Sequence, residues 1–186
     1  YVLWVGRVVT FDFGDSYKDR RPVLDKIADA LPVTLQLNLI SIAIVYTLSV
    51  PLGVFSASRA GSIADSATTV VLFILYSLPT FWLAMLLIFF LTNDRYLSWF
   101  PAYGLNSIGA ESWPLGRWLM DRAWHMVLPV ICLTYADFAY VSRFVRSDML
   151  ETVRQDYVRT ARAYGFGERV IAYKYALRNS LISMIT

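Results

Sequence analysis

The sequence predicts an all-α, polytopic transmembrane helical bundle, with about three full spans and the start of a fourth. Hydrophobic residues make up 57% of the 186 residues and charged residues only 17%, whereas soluble domains average about 45–50% and about 25%. The mean hydropathy is +0.49, and two long stretches of the chain carry no charge. A soluble domain of this size could not bury so much apolar surface. Intrinsic disorder is excluded because it requires low hydrophobicity and high net charge.

Spans are predicted where the charges are absent. Residues 31–55 would reach about 37 Å as a helix, which exceeds the roughly 30 Å hydrocarbon core. Residues 66–93 form the second predicted span, and residues 123–142, which contain the single carboxylate Asp137, form the third. A fourth apolar run begins at residue 179. These spans must be helical because backbone groups in lipid need internal hydrogen-bond partners, and the unbroken apolar runs are unlike the alternating strands of a membrane barrel.

The distribution of basic and aromatic residues predicts the orientation. Eight of the 17 basic residues lie within residues 143–178, here called the basic loop, and basic loops favour the cytoplasmic side. Aromatic rings instead gather in residues 94–122, as is typical of a membrane–water boundary. The predicted order is an external segment (1–30), a span (31–55), a cytoplasmic turn (56–65), a span (66–93), an external loop (94–122), a span (123–142), the cytoplasmic basic loop (143–178) and the start of another span (179–186).

The basic loop has helical periodicity. Asp148 and Glu151 have the spacing of a capping box and predict the start of a helix. Apolar residues recur every four positions and predict one helical face: Met149, Val153, Tyr157 and Ala161. Gly165 predicts the end of this helix, and a second helical pattern runs from Glu168 to Arg178. A basic helix lying on anionic lipid is the alternative interpretation of this pattern.

Two segments of this loop carry a family resemblance. Residues 156–165 read DYVRTARAYG and residues 176–180 read ALRNS. They resemble the cytoplasmic loop of permease subunits in ATP-binding-cassette importers, whose general pattern is E-A-A-x-x-x-G followed by I-x-L-P. Ala161, Gly165 and Leu177 match that pattern. The pattern's Glu, first Ala, Ile and Pro are replaced here by Arg159, Thr160, Tyr175 and Arg178.

The rest of the chain resembles the dipeptide/oligopeptide/nickel branch of these permeases. The segments that carry this likeness are residues 13–16, 21–25, 31–35, 51–54, 77–82, 100–104 and 143–150. The resemblance implies that one span precedes this sequence and about two follow it. It also implies that the protein is a permease and not an enzyme.

The resemblance implies a set of partners as well. These are a second permease subunit, two ATP-binding-cassette ATPase subunits that hold ATP and Mg²⁺, an external solute-binding protein and the lipid of a bacterial plasma (inner) membrane. No cofactor is expected in this chain, which has no phosphate-binding loop, and no nucleic-acid partner is expected. Short peptides are the expected solute, with nickel or another small solute as the alternative. A membrane scaffold with a lipid-binding basic helix is the competing class of function.

In that family the loop docks on an ATPase subunit, which implies a set of contact residues here. Small residues would let the partner approach closely, and guanidinium groups would donate charge-assisted hydrogen bonds to its carboxylates. The coupling residues expected on this basis are Arg159, Thr160, Ala161, Arg162 and Gly165.

Candidates for the translocation path are fewer. A proline breaks the helical hydrogen-bond ladder, and nearby hydroxyls repair it or face water, so a packing kink and a path lining are both open. An intramembrane carboxylate usually faces a cavity or a partner, although this one could also be hydrated at the membrane edge. The path candidates are Ser77, Pro79, Thr80 and Asp137. His125 is interpreted as an interfacial histidine and not a metal ligand, and Cys132 as a buried apolar filler.

Overall fold

The computed structural model describes residues 1–180, which are helical apart from connecting turns and one isolated β-bridge. The predicted all-α class is therefore confirmed. The chain divides into two compact units, residues 1–40 and the part from residue 41 onward.

The first unit contains α1 (Val2–Val9) and the beginning of α2 (Val23–Ser58). A small polar cluster ties the segment before α2 to its first turn. Lys26 Nζ donates to Asp19 Oδ2 at 2.9 Å and to Ser16 Oγ at 3.1 Å. The hydrogen bond from Ser16 and the ammonium group of Lys26 lower the pKa of Asp19 to about 2.

Within residues 1–180, two helices are long and apolar enough to cross a membrane. They are α2, with 36 residues, and α5 (Leu115–Thr152), with 38. At 1.5 Å per residue they measure about 54 and about 57 Å, so each is longer than the hydrocarbon core is thick. The predicted spans 31–55 and 123–142 lie inside α2 and α5, and both helices continue past the predicted ends.

The predicted span 66–93 is not one straight helix. It consists of α3 (Ile63–Ser77) and α4 (Thr80–Leu91), which meet at an angle of 92°. The cause is local, because a residue before proline is driven out of the helical region. Leu78, which precedes Pro79, is extended at φ −77° and ψ 129°.

The predicted loop 94–122 ends earlier than expected, because α5 begins at Leu115, and residues 94–114 are anchored to the first turns of α5. Asp121 accepts hydrogen bonds from the backbone nitrogen of Ser107 at 2.8 Å, from its hydroxyl at 2.6 Å and from Asn106 Nδ2 at 3.1 Å. The indole nitrogen of Trp124 donates to the carbonyl of Trp99 at 2.9 Å. The aromatic loop is therefore held to the helix by specific polar contacts.

The helix predicted to begin at Asp148 and Glu151 does not begin there. Both residues lie in the last turns of α5, which ends only at Thr152. Met149, whose exposed fraction is 1%, packs in a core cluster with Val54 and other apolar residues. Tertiary packing of this kind stabilises a helix beyond what its local signals indicate, so α5 continues through the predicted start.

Beyond α5 the chain forms three short helical segments. α6 (Asp156–Ala163) is followed by α7 (Glu168–Val170) and by a π-helix (Ile171–Leu177). The second helical pattern predicted from residue 168 to 178 is thus confirmed, with wide turns over most of its length. Of the predicted span 179–186, only residues 179 and 180 lie within the described part of the chain, and both are helical.

The backbones of α2 and α5 approach closely at Gly53. A Cβ atom added there would lie 2.7 Å from Val145 Cβ and 2.8 Å from the carbonyl oxygen of Ser142. One turn away, the Ser49 hydroxyl donates to the Phe138 carbonyl at 3.2 Å. Small residues on α2 therefore allow α5 to pack almost against its backbone.

Replacing Gly53 by alanine should destabilise the protein, because the new methyl group meets backbone and a β-branched side chain that cannot both move aside. An overpacked contact of this kind costs about 1–3 kcal/mol. The measurement is the thermal unfolding temperature of the full-length protein in detergent.

The matched control is Gly116→Ala, at a helical glycine with no heavy atom within 4 Å of the added Cβ. It should leave the unfolding temperature unchanged or raise it slightly, since alanine is the better helix former. Equal unfolding temperatures for the two variants would contradict the close approach of α2 and α5.

Candidate functional site

The basic loop contains a short helix that is capped at its C-terminal end by a defined motif. The helix α6 ends at Ala163, and Gly165 follows in the left-handed conformation at φ 79°. The Gly165 nitrogen donates to the Arg162 carbonyl at 2.9 Å, and the Phe166 nitrogen donates to the Ala161 carbonyl at 3.2 Å. These two bonds are the Schellman pattern, which confirms the predicted stop at Gly165.

One face of α6 is buried within the loop itself. Val158 and Ala161 have exposed fractions of 0% and 4%, and they pack against Ile171 with Tyr175 alongside. The ring of Phe166, just after the glycine turn, lies 5.8 Å from that of Tyr175. The helix is therefore fixed to the segment that follows it. Ala161, which was expected to let a partner approach, faces inward instead.

The opposite face of α6 is exposed and polar. The side chain of Arg159 is 72% exposed and lies 3.5 Å from Asp156 Oδ1. Thr160 is exposed, and its hydroxyl donates to the Asp156 carbonyl at 3.0 Å. An exposed ion pair at this distance contributes little to stability, so the Arg159 guanidinium remains available to an outside carboxylate.

Arg162 is committed to a neighbour. Its Nε and a terminal nitrogen bind the two carboxylate oxygens of Glu168 at 2.9 and 3.2 Å. The bond from the Arg162 guanidinium holds the pKa of the Glu168 carboxyl below its usual range. This fork connects the end of α6 to the start of α7 across the glycine turn.

An open groove lies between the end of α5 and α6. Its volume is about 580 Å³. The residues that line it are mostly charged or polar: Ser147, Leu150, Glu151, Arg154, Gln155, Asp156 and Arg159. It offers a partner both carboxylates and guanidinium groups beside the exposed face of α6.

An ion pair with a buried carboxylate fastens the first turn of α3 to α5. Arg146 Nε and a terminal nitrogen donate to Asp65 Oδ1 and Oδ2 at 2.6 and 2.7 Å. Asp65 Oδ1 also accepts from the Ser56 hydroxyl, and Oδ2 accepts from the Gly61 nitrogen at 2.9 Å. The Asp65 side chain is only 4% exposed. Each of the two carboxylate oxygens therefore accepts two hydrogen bonds, which uses the lone pairs of both.

Sequence reasoning singled out neither member of this pair as functional. Asp65 is the only acidic residue in the predicted turn 56–65, which lies between the predicted spans 31–55 and 66–93. A carboxylate in that position needs a nearby cation. That requirement is the one signal that could have identified the pair, but it does not say which arginine supplies the charge.

The structure brings together only some of the residues that were predicted to line the translocation path. At the α3–α4 break, the hydroxyl of Tyr135 donates to the Leu78 carbonyl at 2.7 Å and lies 3.1 Å from the Thr80 hydroxyl. The Ser77 hydroxyl donates back to the Phe73 carbonyl at 2.8 Å. Tyr135 was missed by sequence reasoning, because its partner carbonyl is freed only by the bend.

Asp137 stands apart from this break. It is exposed on α5, and among residues 1–180 no hydrogen bond or ion pair to its side chain is present. Pro79 is exposed at the start of α4.

Two residues differ from their expected surroundings. His125 is nearly buried, with 5% of its side chain exposed and Nδ1 2.8 Å from the Asp121 carbonyl. Cys132 is only partly buried. It lines a cavity between α4, α5 and residues 101–104, so the prediction that it is a buried apolar filler is wrong.

Comparison with known proteins adds to this geometry. Residues 49–186 match the family described as binding-protein-dependent transport system inner membrane component. The whole chain is 40% identical to the oligopeptide transport system permease protein AppB of Bacillus subtilis, over 57% of that protein. Over 99% of its length it is 38% identical to the inner membrane ABC transporter permease protein YejB of Escherichia coli O157:H7, covering 50% of it. It is also 30% identical to the dipeptide transport system permease protein DppB of Alkalihalophilus pseudofirmus, over 59% of that protein.

These relatives are considerably longer than the sequence. The chain spans about half the length of the curated relatives it matches, with 50–59% covered in these three cases.

Replacing Gly165 by alanine should loosen α6 at its C-terminal end. A residue with a Cβ pays about 1–2 kcal/mol to adopt the left-handed conformation, so the Schellman bonds should open more often. Backbone amide hydrogen exchange in α6 should become faster in the full-length protein.

Gly167 provides the matched control, since its φ is −66° and an added Cβ meets nothing within 4 Å. Gly167→Ala should leave amide exchange in α6 unchanged. If both variants exchanged at the wild-type rate, the glycine turn would not be what fixes the helix.

Proposed function

The chain belongs to the family of binding-protein-dependent transport system inner membrane components, and we propose that it is part of the membrane-spanning permease subunit of an ATP-driven importer of short peptides. A second permease subunit, two ATPase subunits and an external solute-binding protein complete the proposed machine in a bacterial plasma membrane. ATP and Mg²⁺ are held by the ATPase subunits. The names of the relatives, which refer to oligopeptide and dipeptide transport, favour peptides over nickel or another small solute.

The observation that carries this proposal is the construction of the basic loop. A soluble motor can push on membrane helices only through a rigid element joined to them. α6 meets that requirement, because its inner face is packed on Ile171 and its end is closed by the Schellman turn at Gly165. In the proposed orientation, the basic loop lies in the cytoplasm and residues 94–122 lie outside.

The docking surface is the exposed face of α6 together with the groove beside it. Arg159 and Thr160 provide its outward contacts. Arg162 and Gly165 hold the end of the helix in place, and Ala161 allows the close internal packing beneath it.

The competing interpretation as a lipid-binding scaffold is disfavoured by the same packing. A helix that lies on a bilayer needs a free apolar face to insert between the lipids. In α6 that face is occupied, since Val158 and Ala161 are buried against Ile171.

A cross-linking experiment tests the dock with two neighbouring positions. In the Thr160→Cys variant the new thiol lies on the exposed face. A short bifunctional maleimide cross-linker should therefore join it to an ATPase subunit. Cysteine at Ala161, one residue further and buried, should form no such adduct. The assay uses the full-length chain, with Cys132 replaced by serine, in the assembled complex. An intact complex that gives no adduct at Thr160, or equal adducts at both positions, would refute this docking surface.

We also propose that Ser77, Pro79, Thr80 and Asp137 contribute to the translocation path. The support is the exposed, unpaired carboxylate of Asp137 on a membrane-spanning helix, a position that is costly in lipid. The α3–α4 break exposes the other three residues.

Asp137→Leu should lower ATP-dependent peptide uptake more than it lowers the amount of protein inserted in the membrane, because the carboxylate serves the path and not the fold. Asp137→Asn is the matched variant that removes the charge and keeps the shape. Equal losses of insertion and uptake in the leucine variant would indicate a structural role instead.

A further inference from the structure

We infer that Arg146 and Asp65 are a positioning pair that carries the movement of the basic loop to the membrane helices α2 and α3. This inference rests on the proposed function, in which the loop is the part that an ATPase subunit moves. In this inference, two specific side chains form the joint, that is, the connection between the loop and the transmembrane region.

The location of Arg146 suits this role. α5 runs without interruption from Arg146 to Thr152, and α6 begins four residues later at Asp156. Along the helix axis Arg146 lies about 9 Å from the end of α5. A displacement of α6 therefore reaches Arg146 through less than two turns of helix.

Asp65 is fixed equally firmly to the other side of the joint. It belongs to the first turn of α3, and it accepts hydrogen bonds from Ser56 near the end of α2 and from Gly61 in the connecting turn. The carboxylate thus unites the two helices and their turn into one body. Arg146 holds that body by both carboxylate oxygens.

Apolar packing alone would not set the direction of such a movement. Val54, Val145, Met149 and Ala176 form a buried cluster at this place, and close packing transmits strain, but apolar attraction has no preferred direction. A bidentate guanidinium–carboxylate pair fixes distance and angle together. The geometry therefore assigns the directional part of the joint to the Arg146–Asp65 fork.

A purely structural role for the pair must be separated by experiment from a role in transmitting movement. Removing Arg146 would leave the buried carboxylate of Asp65 without compensation, which is strongly destabilising, whereas removing both charges is often tolerated. The double variant Asp65→Asn/Arg146→Gln should therefore assemble even if the single variants fail. This variant has lost the charged pair and contains no uncompensated charge. A defect in its transport activity would therefore not be caused by a defect in folding.

The matched control is an exposed pair of the same chemistry. Arg21 and Asp29 lie 2.8 Å apart with side chains 53% and 67% exposed. Asp29→Asn/Arg21→Gln makes the same chemical change at an exposed pair in the other compact unit, residues 1–40.

The experiment uses the full-length chain in the complete complex, reconstituted in liposomes with the solute-binding protein and radiolabelled trialanine as the probe. Uptake and ATP hydrolysis are both expressed per assembled complex. In the double variant at positions 65 and 146, hydrolysis should persist while uptake per ATP falls about fivefold or more, the size of an ordinary coupling energy. The control pair should match the wild type.

A second measurement does not depend on the solute. Spin labels at Ala60 and Ala163, both exposed, report the distance between the α2–α3 turn and α6. In the wild type this distance should stay the same when ADP is trapped with vanadate after ATP hydrolysis, and in the double variant it should change.

Each outcome decides between the two roles. Wild-type uptake per ATP together with an unchanged label distance in the double variant would overturn the inference. A loss of uptake and hydrolysis only in proportion to lost assembly would also overturn it. If the wild-type complex fails to import trialanine with ATP, the proposed function fails for this probe, while the label distance still tests the joint.

Discussion

The need to satisfy every backbone hydrogen bond in lipid governs the architecture of this chain. It makes the apolar stretches helical, and it also explains how the sharp break between α3 and α4 is tolerated. At Leu78 the bend frees a carbonyl group, and the Tyr135 hydroxyl of α5 donates to it at 2.7 Å. The same helix supplies Arg146 to Asp65 in the first turn of α3. Both ends of α3 are therefore held by polar side chains of α5.

α5 is consequently the element that α2, α3 and α4 contact. Near its beginning it holds residues 94–114 through Asp121, in its middle it supports the α3–α4 break, and near its end it packs on Gly53 and binds Asp65. It then leads directly into α6. A single continuous helix thus connects the proposed outer surface with the proposed docking surface, which is an arrangement suited to mechanical coupling.

Local signals predicted part of the site and failed where packing overruled them. The stop at Gly165 was predictable because a left-handed turn selects glycine whatever surrounds it. The helix start at Asp148 was not real, because the packing of Met149 carries α5 through that position. The inward direction of Ala161 was equally hidden. Periodicity identifies one face of a helix, but it does not say whether a partner or the chain itself covers that face.

Composition, charge-free length and motifs are properties of local stretches, and they were sufficient to identify the chain as helical, membrane-embedded and a relative of importer permeases. Which charges meet depends on the packing of the helices. Asp65 and Arg146 are 81 residues apart, and Tyr135 and Leu78 are 57 apart. Pairing over such separations depends on how helices cross and on where small residues such as Gly53 let them approach, which no local pattern specifies.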